Sequence, residues 1–411
     1  MVNTFHYPRG GASIYALSLA NLLEKSNHEV LHFAMNHPSS IPSPLTEKYW
    51  PPYIEFPKIL KEGVLRGGYK VFRRTISSKE AETGMDELLD NFDINLVHVH
   101  NILHHITPSI FKPIVKRGLP IVWTLHDYSL ICPNTNTFDQ RKNVMCSACL
   151  KGGLSLFNAP LRRCKKGSFS ASTMAAIENA VHRFKKVKDI PDRFISPSRF
   201  LAEKFIECGF DEDKFEVVPN FIERKAPFYE KKENRSREFA LYAGRLSAEK
   251  GLKTLIEAWR GMPIECSLKI AGTGPLESEL KLLAKDIDNI EFLGFVHPDK
   301  LAEIRNRTAF LVVPSEWWEN APLTILEAFA DGIPVLGANI GGIPEMVRSN
   351  VTGLLFESRN SEDLLNKARE LFDNTEKSKK YGENARRISE NEYSSESHLH
   401  RILKIYMDLL N

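Results

Sequence analysis

AFLVVPSEWWENAPLTILEAFADGIPVLGA, residues 309–338, contains one full turn of the pattern that decides the fold. AFLVVPS reads as a strand, PLTILEAFADG as a helix and PVLGA as the next strand. Such a unit builds a parallel sheet with helices on its faces. Working outward, TGLLF continues the alternation. FALYAGR, LKTLIEAWRG, CSLKIAG, a helix from Leu276 to Lys285, IEFLGF and DKLAEIRNR carry it back to residue 239. Before that, ERKAPFYEKKENRSRE (223–238) is charged and weakly patterned, which marks a linker.

The alternation also runs through the first half. MVNTF and HEVLHFAM read as strands around the helix SIYALSLANLLEKSN, followed by INLVHVH, PIVWTLHD, RFISPS and FEVVPN with helical patterns between them. The fold class is therefore α/β, with two Rossmann-like doubly wound domains. The expected division is 1–222, linker 223–238, 239–385, and a C-terminal helix 386–411 crossing back to the N-terminal domain. Two such sheets facing a central cleft bind ligands at the carboxyl ends of their strands.

Composition agrees with a globular chain. Of 411 residues, 42% are hydrophobic and 26% charged, which excludes a mainly disordered, collagen-like or coiled-coil protein. No apolar run approaches the roughly 20 residues that span a bilayer. MVNTFHYPRGG lacks the apolar stretch of a secretory signal, so a cytoplasmic location is expected.

The net charge, 55 − 52 = +3, is unevenly spread. From Lys112 to Arg199 there are 16 Lys/Arg against 5 Asp/Glu. A second basic stretch, Lys58, Lys61, Arg66, Lys70, Arg73 and Arg74, is interleaved with apolar residues. Either a solvated amphipathic helix or peripheral contact with an anionic membrane accounts for it. No nucleic-acid motif accompanies the charge, so nucleic acid is not an expected partner.

Four of the six cysteines cluster as Cys132-x13-Cys146-x2-Cys149-x14-Cys164. The spacing fits a structural zinc site; the alternative is four unpaired thiols in a long loop. Cys208 and Cys266 read as packing residues.

Chemistry is expected at the strand ends. Gly10-Gly11 precedes a helix and lets the backbone approach an anion. Gly244-Arg245-Leu246-Ser247-Ala248-Glu249-Lys250-Gly251 follows a strand, and an Arg fork with a Lys point charge suits a diphosphate. Surface solvation for Lys250 and an ion pair for Arg245 remain open on these residues alone. In the opening stretch Glu319 and Glu327 form Glu-x7-Glu. Glu327 lies among Leu326, Ala328 and Phe329, where a carboxylate needs a specific partner such as a ribose diol.

Together these features resemble glycosyltransferase family 4, the retaining GT-B transferases that use nucleotide-sugar donors. The resemblance spans nearly the whole chain. It is carried by Gly10-Gly11, His126 in TLHD, GRLSAEKG, Gly272-Thr273-Gly274-Pro275, Glu-x7-Glu and Gly341-Gly342-Ile343-Pro344-Glu345. It implies that Arg245 and Lys250 hold the donor diphosphate with the Gly11 amide, that Glu327 binds the ribose, and that Glu319 sits beside the donor sugar. It also implies backbone contacts from Asn320, Ala321, Leu323 and Thr324, with Val296 bordering the base and His126 facing the sugar. His98 and His100 read as structural, and His104-His105 as candidates to line the acceptor side.

Leaving-group stabilisation is implied to come from Arg245, Lys250 and helix amino termini, with no divalent metal and no cofactor. The expected donor is a UDP-sugar, with GDP-sugar next. The expected acceptor is a glycan or lipid-linked glycan of cell-surface polysaccharide synthesis. A GT-B protein that binds without turnover, or a GT-B epimerase or phosphorylase, are the alternatives.

Overall fold

The structure, a computed structural model, describes residues 1–54, 75–223 and 238–411. The basic stretch Lys58 to Arg74, and the linker apart from its two end residues, lie outside the described residues. The chain divides into two units. The first comprises Met1–Thr137, Cys146–Val218 and Leu399–Asn411; the second comprises Phe138–Met145 and Pro219–His398.

Among the described residues, six strands precede the linker: β1 (Val97–Val99), β2 (Ile121–Thr124), β3 (Phe138–Asp139), β4 (Val144–Met145), β5 (Arg193–Ser196) and β6 (Phe215–Val217). β1, β2, β5 and β6 form a parallel sheet in that order, whereas β3 and β4 form a separate antiparallel hairpin that groups with the second unit. The expected strands MVNTF and HEVLHFAM reduce to single bridges, in which Val2 lies between Phe33 and Val99. Val2 exchanges hydrogen bonds with His98 and His100, but Thr4 already bonds to Asn101 beyond the end of β1, so regular pairing stops after two residues. Phe111 against Trp123, and Phe194 against Phe210 and Phe215, fill the interior of this unit.

The second unit carries β7 (Phe239–Ala243), β8 (Ser267–Ala271), β9 (Ile290–Gly294), β10 (Thr308–Val313), β11 (Val335–Ala338) and β12 (Gly353–Phe356). They form one parallel sheet in the order β12-β11-β10-β7-β8-β9. Every residue of β10 is buried, as expected for a central strand covered on both faces. Fully buried Trp259, Phe310, Phe329 and Phe356 anchor the core. Chain order runs outward in both directions from the β7–β10 pair, so the topological switch point lies between those two strands.

The expected C-terminal helix is broken. Helix Thr375–Glu392 ends at Tyr393, and helix Ser395–Leu410 begins after Ser394. Ile222 pairs with Ser394 and donates its amide to Tyr393, while the Ser394 hydroxyl accepts from the Ser397 amide. The last helix leaves the second unit and enters the first at Leu399.

Candidate functional site

The loops that follow β7 and β10 meet at the switch point of the second unit. Gly251 turns with φ +70, and a Cβ there would stand 1.8 Å from the Pro314 carbonyl oxygen, so the two backbones touch. The Glu316 amide donates to the Glu249 carbonyl at 2.8 Å. This closeness brings Lys250 to Glu319: ammonium and carboxylate are 2.6 Å apart. The Ser315 hydroxyl donates to the same carboxylate oxygen at 2.6 Å. Glu319 is buried. Its backbone is clamped from the other side, where the Gly342 amide donates to its carbonyl at 2.7 Å and Gly341 leaves no room for a side chain. Lys250 also lies over the Trp317 ring, 5.2 Å from its centroid.

Arg245 is exposed, and its guanidinium has no partner among the described residues. Its carbonyl accepts from the Tyr242 hydroxyl at 2.8 Å, which fixes the turn beneath it. Asn320, Ala321, Leu323 and Thr324 are half-buried and lead into helix Leu323–Ala330, whose first turn has no side-chain cap. Its leading amides therefore point outward with the positive end of the helix dipole. Val296 is partly buried after β9, and the carbonyl of Gly294 ties that strand end to Gly272 of the next loop at 2.7 Å.

Glu327 has a protein partner that the sequence did not disclose. Arg305 donates to its carboxylate at 2.9 Å and to Asp331 at 2.6 Å. Burial pushes the Glu327 pKa up, and the Arg305 charge opposes that rise. The apolar neighbours of Glu327 thus do not by themselves require a ligand. Its other oxygen has no protein partner among the described residues.

In the first unit, Gly10 and Gly11 are exposed at the start of helix Gly11–Lys25, again without a side-chain cap. A cavity of about 240 Å³ is lined by Arg9, His100, His104, His105, His126 and Asp127, among others. His126 Nε2 meets His100 Nδ1 at 3.1 Å, and Tyr15 sets its ring edge against both. Burial pushes the His126 pKa down to about 4, so the imidazole is neutral near pH 7. His98 is structural, held between Tyr406 at 2.5 Å and Thr124 at 2.7 Å. His104 is not idle: its Nδ1 meets buried Glu178 at 2.6 Å and its Nε2 meets Lys165 at 3.1 Å. A larger cavity of this unit, about 480 Å³ beside Leu23, Leu89 and Tyr406, contains none of the expected site residues.

The family model for Glycosyltransferase Family 4 matches residues 9–225, and that for glycosyl transferases group 1 matches residues 224–388. The chain belongs to glycosyltransferase family 4. This family 4 glycosyltransferase is 29% identical over 228 residues to an uncharacterized glycosyltransferase of Methanocaldococcus jannaschii, covering 55% of this chain and 62% of the relative. It is 24% identical over 419 residues to the N-acetyl-alpha-D-glucosaminyl L-malate synthase of Bacillus anthracis, covering 98% and 96% of the two chains. Anabaena HepE, crystallised with UDP and glucose, shares the fold with a TM-score of 0.63 at 18% identity, over 99% of this chain and 98% of that one. The fold is GT-B, with two Rossmann-like domains.

The four cysteines singled out as a possible zinc site, Cys132, Cys146, Cys149 and Cys164, all lie in the first unit as free thiols. Among the described residues of this glycosyltransferase, no group of three or more His, Cys, Asp or Glu side chains is arranged to hold a metal ion. Cys132, Cys146 and Cys164 are close enough to Cys149 to help raise its pKa, behind burial, to about 12. However, the Cys132 sulfur faces the amides of its own turn at Asn134, Thr135 and Thr137, and Cys146 accepts from Arg162 at 3.7 Å. Two Asp-x-Asp triplets occur, Asp211-Glu212-Asp213 and Asp286-Ile287-Asp288. They precede β6 and β9, at the amino-terminal ends of those strands.

Ser315, Arg305 and Lys165 are the residues that the sequence left unassigned, and His100, read as structural, also lines the cavity. Ser315 lies four positions before Glu319, a local signal; the others come from distant parts of the chain.

Proposed function

We propose that this chain is a retaining glycosyltransferase that moves a hexosyl-type sugar from a nucleoside-diphosphate sugar, UDP-linked by default, to a glycan or lipid-linked glycan acceptor of cell-surface polysaccharide synthesis. The observation that carries the reading is the Lys250–Glu319 pair at the β7–β10 switch point, with Arg245 exposed on the same loop as Lys250.

A donor diphosphate at these strand ends meets two cations and the uncapped start of helix Leu323–Ala330. These are fixed charges and dipoles placed where negative charge grows as the sugar C1–O bond breaks, which lowers the barrier by preorganisation. With the acceptor hydroxyl on the same face, its oxygen bonds to C1 while its proton passes to the departing phosphate oxygen. Configuration is retained, and no dedicated protein base is needed. Glu319, fixed by Lys250, Ser315 and the Gly341-Gly342 turn, bonds sugar hydroxyls in this reading. The Glu327 oxygen that Arg305 leaves free accepts from the ribose in this reading. His126, neutral and packed against His100 and Tyr15, contributes hydrogen bonding without positive charge. HepE bound to UDP and glucose, on the same fold, favours UDP as the first nucleotide to try.

The test is thermal stability against UDP, GDP, ADP and their sugars, with and without chelator. Ligand at about 100 times its Kd stabilises by roughly 2.7 kcal/mol. A chelator-insensitive shift with UDP ligands, lost in Arg245→Ala and Glu327→Ala, is the expected result. A shift with GDP ligands alone replaces the donor base, and no shift with any nucleotide overturns the reading.

A further inference from the structure

One surface of the first unit displays side chains that water-facing helices rarely keep. Helix Phe169–Phe184 exposes Phe169, Ile177 and Phe184, the last at 89%. At roughly 100° per residue these three fall within one narrow stripe, and the residues between them on that stripe, Thr173 and Ala180, are uncharged. Ser168 caps the helix by accepting from the Ala171 amide, so the helix starts at Phe169 itself. The preceding turns, Gly153–Phe157 and Asn158–Arg162, expose Leu154 at 83%, together with Phe157 and Leu161.

Both elements have their inner faces occupied. The turns pack against helix Phe169–Phe184, and Cys149, Leu156, Ala159 and Ala176 form a small buried cluster among them. The outward leucines and phenylalanines are therefore additional to the core. Exposed apolar clusters of this kind mark interaction surfaces.

Charge identifies the partner. Residues 151–188 contain nine Lys/Arg against a single acid, Glu178. Glu178 is 3% exposed and committed to His104, so it adds no negative surface. Exposed Arg163, Lys166, Lys185 and Lys186 flank the apolar side chains. Aromatic and leucyl side chains bordered by cations match the boundary between acyl chains and anionic headgroups. No helix among the described residues is long and apolar enough to cross a membrane.

We propose that the outer face of residues 154–186 docks this chain onto an anionic membrane surface, with Phe157, Leu161, Phe169 and Phe184 entering the headgroup boundary. The face is connected to the cavity of the first unit through Lys165, which bonds to the cavity-lining His104. A lipid-linked acceptor held at the headgroups thus lies near that cavity. The proposal deepens the lipid-linked acceptor reading, and its test needs neither donor nor acceptor, so its failure leaves the transfer reading standing.

The test is co-sedimentation of the full chain with vesicles of phosphatidylcholine, alone or mixed with phosphatidylglycerol. The wild type is expected to sediment with the anionic vesicles at low salt. Phe157→Ser/Phe184→Ser should weaken partitioning by about tenfold or more with an unchanged Tm, since both side chains are exposed. Lys185→Glu/Lys186→Glu should abolish the preference for phosphatidylglycerol. The proposal is overturned if the wild type stays in the supernatant, or if both variants sediment as it does. It is also overturned if light scattering shows that the phenylalanine variant converts a dimer to a monomer, because the face then belongs to a second copy.

Discussion

A carboxylate as buried as Glu319 is costly without partners, and Lys250 and Ser315 both reach the same oxygen. Lys250→Ala therefore removes the charge proposed to meet the diphosphate and also takes a partner from the acid. We expect kcat/KM to fall by about 10²–10³-fold with a lower Tm, whereas Lys250→Arg keeps the ion pair and recovers Tm more than activity. Wild-type turnover in Lys250→Ala would remove the residue from the mechanism. Arg305 acts one step further out. Burial and Asp331 raise the Glu327 pKa while Arg305 lowers it, so Arg305→Leu shifts the acid toward its protonated form. Donor KM should rise by roughly three- to tenfold near neutral pH and recover as pH increases and Glu327 ionises. A KM that stays raised at every pH would mean that Arg305 only packs.

At the scale of elements, the Gly341-Gly342 turn is what keeps Glu319 in place. Gly341 has φ +61, and a Cβ would lie 2.5 Å from the Glu319 carbonyl oxygen. Gly118 has φ +66 but open space around it. Both Gly→Ala changes pay for left-handed backbone, about 1 kcal/mol, while Gly341→Ala must also displace Glu319 and should cost about 1–3 kcal/mol more together with activity. Equal Tm losses in the two variants would show that the turn yields freely. The strand–helix alternation that encloses this turn was legible from residue 239 onward because each element is local and strongly apolar. The order β12-β11-β10-β7-β8-β9 was not written in any one segment, yet it creates the switch point. Arg305 was illegible for the same reason: it reaches Glu327 from another helix, while Ser315, four residues from its partner, could have been read. The cysteine spacing brought the other three thiols within electrostatic reach of Cys149, but the Cys132 turn and the Cys146 contact with Arg162 were not written in it. Val2 and Phe33 read as strand residues but pair singly, since Thr4 turns its hydrogen bonds to the loop after β1.

For the whole molecule, the buried imidazoles of the first unit dictate how stability responds to acid. Burial holds His126 and His182 down to about 4, His32 to about 3, and His6 and His100 below the ordinary value of 6.5. His182 is the clean case, buried and with no partner for its Nε2 among the described residues. Between about pH 6.5 and 4 the unfolded chain binds protons that the folded chain refuses. Unfolding then takes up protons, so stability must fall as pH drops through that window. The slope is about 1.4 kcal/mol per pH unit for each histidine that stays neutral while folded. Lowered carboxylate pKa values give the same sign but act mainly below pH 4.5, so the histidine part separates at the upper end of the range. His182→Gln removes one titrating group while keeping polarity and similar bulk. Its Tm-against-pH curve should be shallower than the wild type's between pH 6.5 and 4.5 and converge with it in slope above pH 7. Parallel curves throughout would mean that His182 already binds its proton in the folded chain, through Glu178 beside it.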